Sequence, residues 1–149
     1  MPTVKKPLPD EFAEFIRLLN SEKVEYLVIG GWAVNLYSNP RATADIDFLI
    51  GIDKKNVDKM LSVLEKFGLK NVPREYFKET GNVIRIGIPP TRIEVLTGAS
   101  GIKFSACYKR KKIVKVGDLK LPFISKTDLM KNKLAAGRLK DLADLEALE

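Results

Sequence analysis

Two aspartates open one short apolar segment of this chain, Asp45 and Asp47 in "DIDFLI", and a glutamate, Glu94, sits inside another, "RIEVL". Aspartate is a poor strand former, so two in one predicted strand require a reason. Strand side chains alternate faces, which sends Asp45 and Asp47 one way and Ile46 and Phe48 the other way, into a core. Two neighbouring carboxylates oppose each other's ionisation, and a divalent cation between them removes that opposition. An isolated Asp-x-Asp also reads as two solvated acids at a strand end. Glu94 changes the weighing. It lies between Ile93 and Val95, on the face opposite theirs. If its strand pairs beside the Asp45 strand, three carboxylates converge into an oxygen cage for two magnesium or manganese ions, completed by water and phosphate oxygens.

Gly30 and Gly31 end the apolar run "EYLVI", and thirteen residues separate Gly31 from Asp45. Glycine permits a tight turn and a close approach of backbone N–H groups to a ligand. A helix starting there attracts phosphate. A tight turn with no further role is the plain alternative. No Gly-Lys-Ser/Thr follows, so this is not a Walker loop.

Composition narrows the chemistry. The chain has no histidine and one cysteine, Cys107. That leaves no Ser-His-Asp triad, no intrachain disulfide and no ordinary zinc site. A metal must be held mainly by oxygen, which points to magnesium, manganese or calcium. The formal charge is +7 in 149 residues, which favours an anionic partner such as nucleotide phosphate or nucleic acid and also aids solubility. No apolar run is long enough to span a membrane, and the first residues lack a signal peptide's apolar stretch. The expectation is a cytoplasmic protein.

Elements must position these residues. Asp10 opens a helix with Phe12, Phe15, Ile16 and Leu19 at helical spacing. "EYLVIGG" is a buried strand, "GWAVNLY" a short helix stopped by Ser38-Asn39-Pro40, and "DIDFLIG" a second strand. Asp53 caps a helix whose buried face is Val57, Met60, Leu61 and Leu64, ended by Gly68. "NVIRIGI" alternates, with Ile84, Ile86 and Ile88 on one face. Pro89-Pro90 turn into "RIEVLT". A short helix near "FSACY" and a hairpin with Gly117-Asp118 at its turn come next. Ser125 caps a helix over roughly 126–135, Gly137 breaks it, and a last helix covers roughly 139–148. Residues 1–9 read as a tail. The fold class is α+β, a mixed sheet with helices packed on it and a short C-terminal helical segment. One domain fills 1–149, with its core at about 24–100 and the basic hairpin and C-terminal helices at about 101–149.

Apolar-Gly-Gly, thirteen residues, Asp-apolar-Asp-apolar, and later apolar-Glu-apolar together resemble the nucleotidyltransferase superfamily with the DNA polymerase β-like fold. "GGWAVNLYSNPRATADIDFLI" with the late "KNKLAAGRLKDLADLEAL" is similar to its AbiEii-type branch, which includes toxins of toxin–antitoxin pairs. The resemblance covers residues 24–148 or so. It implies that Asp45, Asp47 and Glu94 bind metal and act in catalysis, with Glu94 able to take the acceptor's proton. It implies that Gly30 and Gly31 help hold the triphosphate. Arg41 and Thr43 match an Arg-x-Thr before the acids, and Lys133, Arg138, Lys140 and Asp141 match the late motif. The cations among them would serve the nucleotide, with Asp141 orienting Lys140; Asp141 and Asp144, three apart and facing alike on one helix, also read as surface charges balancing Arg138 and Lys140. Gly31 stands where many members have serine, and Glu94 where many have aspartate.

The implied activity is transfer of a nucleoside monophosphate from an NTP to an unidentified hydroxyl acceptor, an RNA, a protein or a small molecule, with a second copy or a partner chain completing the acceptor site. An inactive nucleotide-binding module and a basic nucleic-acid-binding protein are the alternatives. "KRKKIVKV", residues 109–116, supplies five basic residues in eight. It reads as a protected hairpin edge or as an RNA-docking surface. Trp32 reads as a packing residue.

Overall fold

A computed structural model describes residues 1–149. In chain order the strands are β1 (Thr3–Val4), β2 (Tyr26–Ile29), β3 (Asp45–Ile50), β4 (Val83–Ile86), β5 (Arg92–Leu96), β6 (Lys112–Val116) and β7 (Leu119–Phe123). The helices are α1 (Asp10–Ser21), α2 (Gly30–Tyr37), α3 (Lys54–Lys66), α4 (Phe104–Lys109), α5 (Lys126–Ala136) and α6 (Leu139–Leu148). The strands form one mixed sheet in the order β1-β6-β7-β2-β3-β5-β4. β2 and β3 are antiparallel, β3 and β5 parallel, and β5 and β4 antiparallel. The basic hairpin, β6 and β7, joins this same sheet through a parallel β2–β7 pair.

Alternation along β3 separates core from site. Ile46 and Phe48 are fully buried. Phe48 meets Phe15 of α1 at a ring-centroid distance of 5.6 Å and Tyr26 of β2 edge-on at 5.5 Å. Helix α1 contributes Phe12, Phe15, Ile16 and Leu19 to the core, and α3 contributes Val57, Met60, Val63 and Leu64. Leu61, expected in that buried face, is only half-buried, and Val63 is enclosed instead. Trp32 is buried with its ring edge-on to Phe12, a packing role.

Local signals explain the element ends. The Asp53 carboxylate accepts the Asn56 N–H at 3.2 Å and starts α3. Ser125 Oγ accepts the Asp128 N–H at 3.2 Å and starts α5, and Gly137 in the left-handed region ends it. Two expectations fail. Residues 1–9 are not wholly a tail, because Thr3 and Val4 pair with Lys115 and Val116 as a parallel edge strand. A two-residue strand carries no periodicity to read. Ile88 does not extend the face of Ile84 and Ile86. Gly87, at φ +80°, turns the chain first, and Ile88 is left 77% exposed.

Candidate active site

The sheet register builds the carboxylate cluster. Because β3 and β5 run parallel and in step, Asp47 lies beside Glu94 and Asp45 beside Arg92. One oxygen from each of Asp45, Asp47 and Glu94 falls within 4.8 Å of the others. Ile29, the last residue of β2, pairs with Asp47 from the other side. The Gly30 bend therefore rises directly against the Asp47 carboxylate. A Cβ on Gly30, which sits at φ +66°, would lie 2.0 Å from Asp47 Oδ2, so only glycine fits there. At Gly31 a Cβ would lie 2.8 Å from Thr43 Oγ1. The Thr43 hydroxyl thus crowds the Gly31 position, and it donates to the Asp45 carbonyl at 3.0 Å.

Burial and charge act together on Asp47. Burial first, then repulsion from Glu94 and Asp45, push its carboxyl up to about 7, against the pull of Lys133 and Lys140. That is the state of a carboxylate lacking sufficient positive charge nearby. The donor set of hard carboxylate oxygens, close together and without histidine or cysteine, fits magnesium or manganese. Asp45, Asp47 and Glu94 are the residues to hold such an ion.

The cations come from the C-terminal helices. Lys133 on α5 is 6% exposed, with Nζ 3.0 Å from Asp144 and 3.4 Å from Asp141 on α6. Arg138 donates to Asp141 at 2.6 and 3.2 Å. Burial works to raise the Asp141 pKa, but the Arg138 hydrogen bond and the charge of Lys133 hold it below the ordinary carboxylate value. Arg41, in the loop before β3, pairs with Asp144 at 2.9 Å. That loop is fixed by reciprocal hydrogen bonds between the Asn35 amide and the Arg41 backbone, at 2.8 and 3.0 Å. Arg41, Lys133, Arg138 and the carboxylates thus form a chain of alternating charge joining three segments. Lys140 stands exposed beside it.

All eleven residues matched to the family's motifs line one cleft of about 1240 Å³. Its apolar lining includes Ile52, Leu96, Ile102 and Phe104. None of residues 109–116 lines it. Arg110 from that run pairs instead with the buried Asp128. Asp144, one helical turn beyond Asp141 and facing alike as its spacing predicts, joins it in holding Lys133 rather than Lys140. Two residues escaped the sequence reading. Arg92 lies two residues before Glu94, on the same strand face. Asn56, 2% exposed, accepts the Glu25 N–H and donates to the carbonyls of Glu25 and Gly51, tying α3 to the end of β3. Nothing in the sequence pattern marks it.

A mixed sheet carrying a glycine bend, an Asp-x-Asp strand and a third acid on the adjacent parallel strand defines a nucleotidyltransferase-like fold. The chain belongs to a family described as nucleotidyltransferase of unknown function (DUF6036), whose pattern matches residues 10–149. Among solved structures it is similar to the lincosamide antibiotic adenylyltransferase LnuA in its lincomycin-bound form. The TM-score is 0.55 at 16% identity, over 97% of this chain and 98% of that one. An antigenic nucleotidyltransferase-like protein from Paracoccidioides brasiliensis also matches, with a TM-score of 0.55 at 17% identity, over 96% of this chain and 76% of that one. No curated protein sequence matches. No helix is long and apolar enough to cross a membrane.

Proposed function

We propose that the chain is a metal-dependent nucleotidyltransferase that moves a nucleoside monophosphate from an NTP to a hydroxyl acceptor. One observation carries this reading: the β3–β5 register sets Asp47 beside Glu94 while the Gly30 bend touches Asp47. The oxygen of the acceptor forms a bond to the α-phosphorus, the bond from that phosphorus to the bridging oxygen breaks, and pyrophosphate leaves. Two bound ions would stabilise the entering and leaving oxygens.

This chain's own groups do the rest. Asp45, Asp47 and Glu94 hold the cations, and Glu94, at the acceptor side, takes the hydroxyl proton. The glycine bend and the start of α2 receive phosphate oxygens through backbone N–H groups. Lys133, Lys140, Arg41 and Arg138 offset the phosphate charge, with Lys133 held in place by Asp141 and Asp144. The apolar part of the cleft lining suits a base or an acceptor body.

The early and late motifs together support a place in the AbiEii-type branch and a toxin–antitoxin role. The fold likeness to LnuA, an antibiotic adenylyltransferase by name, supports a small molecule as acceptor beside RNA or protein. The test is binding of magnesium–NTP followed by release of pyrophosphate on incubation with labelled NTPs and cell extract. Asp45→Ala is expected to abolish both while the far-UV circular dichroism is unchanged. Unaltered magnesium–NTP affinity in that variant refutes the assignment.

A further inference from the structure

The carboxylate cluster is already in contact with a cation of the chain's own. Arg92 Nε donates to Asp45 Oδ1 at 2.8 Å and Arg92 Nη2 to Asp45 Oδ2 at 3.1 Å. The same Nη2 stands 3.3 Å from Glu94 Oε1. One guanidinium fork therefore spans two of the three candidate ligands. Arg85 of β4, at 3.8 Å from Glu94 and more exposed, is a weaker second. Fully ionised, the three acids carry three negative charges, of which Arg92 cancels one. Its guanidinium does not deprotonate at working pH, so that charge leaves the cluster only by movement of the side chain.

We propose that Arg92 is a resident counter-cation of the triad, which a divalent ion must displace from Asp45 and Glu94. Ion loading is weak for as long as Arg92 has no other anion to face. The side chain is 30% exposed and lines the cleft, so it has somewhere to go. An anionic phosphate group entering the cleft gives it a new partner. The opposite role is that of a scaffold, with Arg92 orienting Asp45 and Glu94 and staying in place while the ion binds. The two roles differ in sign. Removing a competitor strengthens ion binding, and removing a scaffold weakens it.

This inference rests on the proposed metal site, and titration with Mn²⁺ alone separates the two. Full-length wild type, Arg92→Gln and Arg92→Lys are titrated calorimetrically, with free Mn²⁺ followed by electron paramagnetic resonance. Arg92→Gln is expected to bind Mn²⁺ more tightly than wild type by about tenfold or more, since the full charge is lost at contact distance. Arg92→Lys, which keeps the charge but loses the fork, is expected in between. In chelator Arg92→Gln should melt below wild type and recover more on Mn²⁺ addition, which a purely structural lesion would not do. Equal or weaker Mn²⁺ affinity in a folded Arg92→Gln overturns the counter-cation role and leaves the metal site standing. Absence of Mn²⁺ binding in all three proteins overturns the metal site itself.

Discussion

Replacing Gly30 with alanine should disable the proposed metal site without replacing any of its proposed ligands. The added Cβ would stand 2.0 Å from Asp47 Oδ2, 2.9 Å from its Cγ and 3.2 Å from its Cβ. Rotating the carboxylate alone does not relieve three such contacts, so the whole side chain must shift by about 1 Å or more. Metal ligands tolerate about 0.2 Å. Alanine at φ +66° adds backbone strain of about 1–2 kcal/mol. Gly117 supplies the control. It has φ +62° and nothing within 4 Å of its Cβ position. Gly117→Ala should therefore show the backbone penalty alone, with wild-type Mn²⁺ affinity. Gly30→Ala should show that penalty and lose at least about tenfold in Mn²⁺ affinity, the range seen when groups that support metal ligands are altered. Denaturant midpoints and Mn²⁺ titrations on both variants read the two effects separately. A folded Gly30→Ala that binds Mn²⁺ as wild type does would refute the claim that this bend sets the position of Asp47.

Three further outcomes are expected. In chelator, folded Asp47 keeps a proton up to about pH 7 whereas the unfolded chain releases it near 3.8. Stability should fall as pH rises across that window and level off above it, by at most about 4 kcal/mol at 1.36 kcal/mol per pH unit. Asp47→Asn should flatten the profile, and a wild-type profile already flat from pH 4 to 7 would contradict it. Asp144→Ala strips a partner from the buried Lys133 and from Arg41, and should lower stability by about 3–5 kcal/mol in urea denaturation. Asn56→Leu leaves the N–H of Glu25 and the carbonyl of Gly51 unpaired, and the Glu25 carbonyl with only the Gly51 N–H at 3.4 Å. It should lower the melting temperature, with a loss of about 3 kcal/mol or more.

The candidate site was legible in the sequence where periodicity and spacing carry it. Alternation sets Asp45 and Asp47 on one face of their strand and Glu94 opposite its own apolar neighbours, and the parallel β3–β5 register then brings the three side by side. The caps at Asp53 and Ser125 are local hydrogen-bond signals, and both are present. What escaped depends on contacts between distant segments. Arg92 obeys the same alternation as Glu94, but its meaning depends on which residue β3 sets opposite it. Asn56 works through backbone groups of Glu25 and Gly51, which any side chains could accompany. The pairing of Thr3–Val4 with β6 is too short to leave a pattern. Ile88 misled because alternation continues in the letters after the chain has turned at Gly87.

The step-for-step alignment of β3 with β5 makes the geometry of this cluster a discrete quantity. Sliding one strand by a single residue would turn Glu94 inward and offer Ile93 or Val95 to the cleft instead. Deleting one residue within β5 should therefore erase the third acid outright, whereas lengthening the Gly87–Thr91 connection should leave it where it is. Evolution or engineering can change what surrounds these acids by degrees, but their mutual placement is either kept whole or lost.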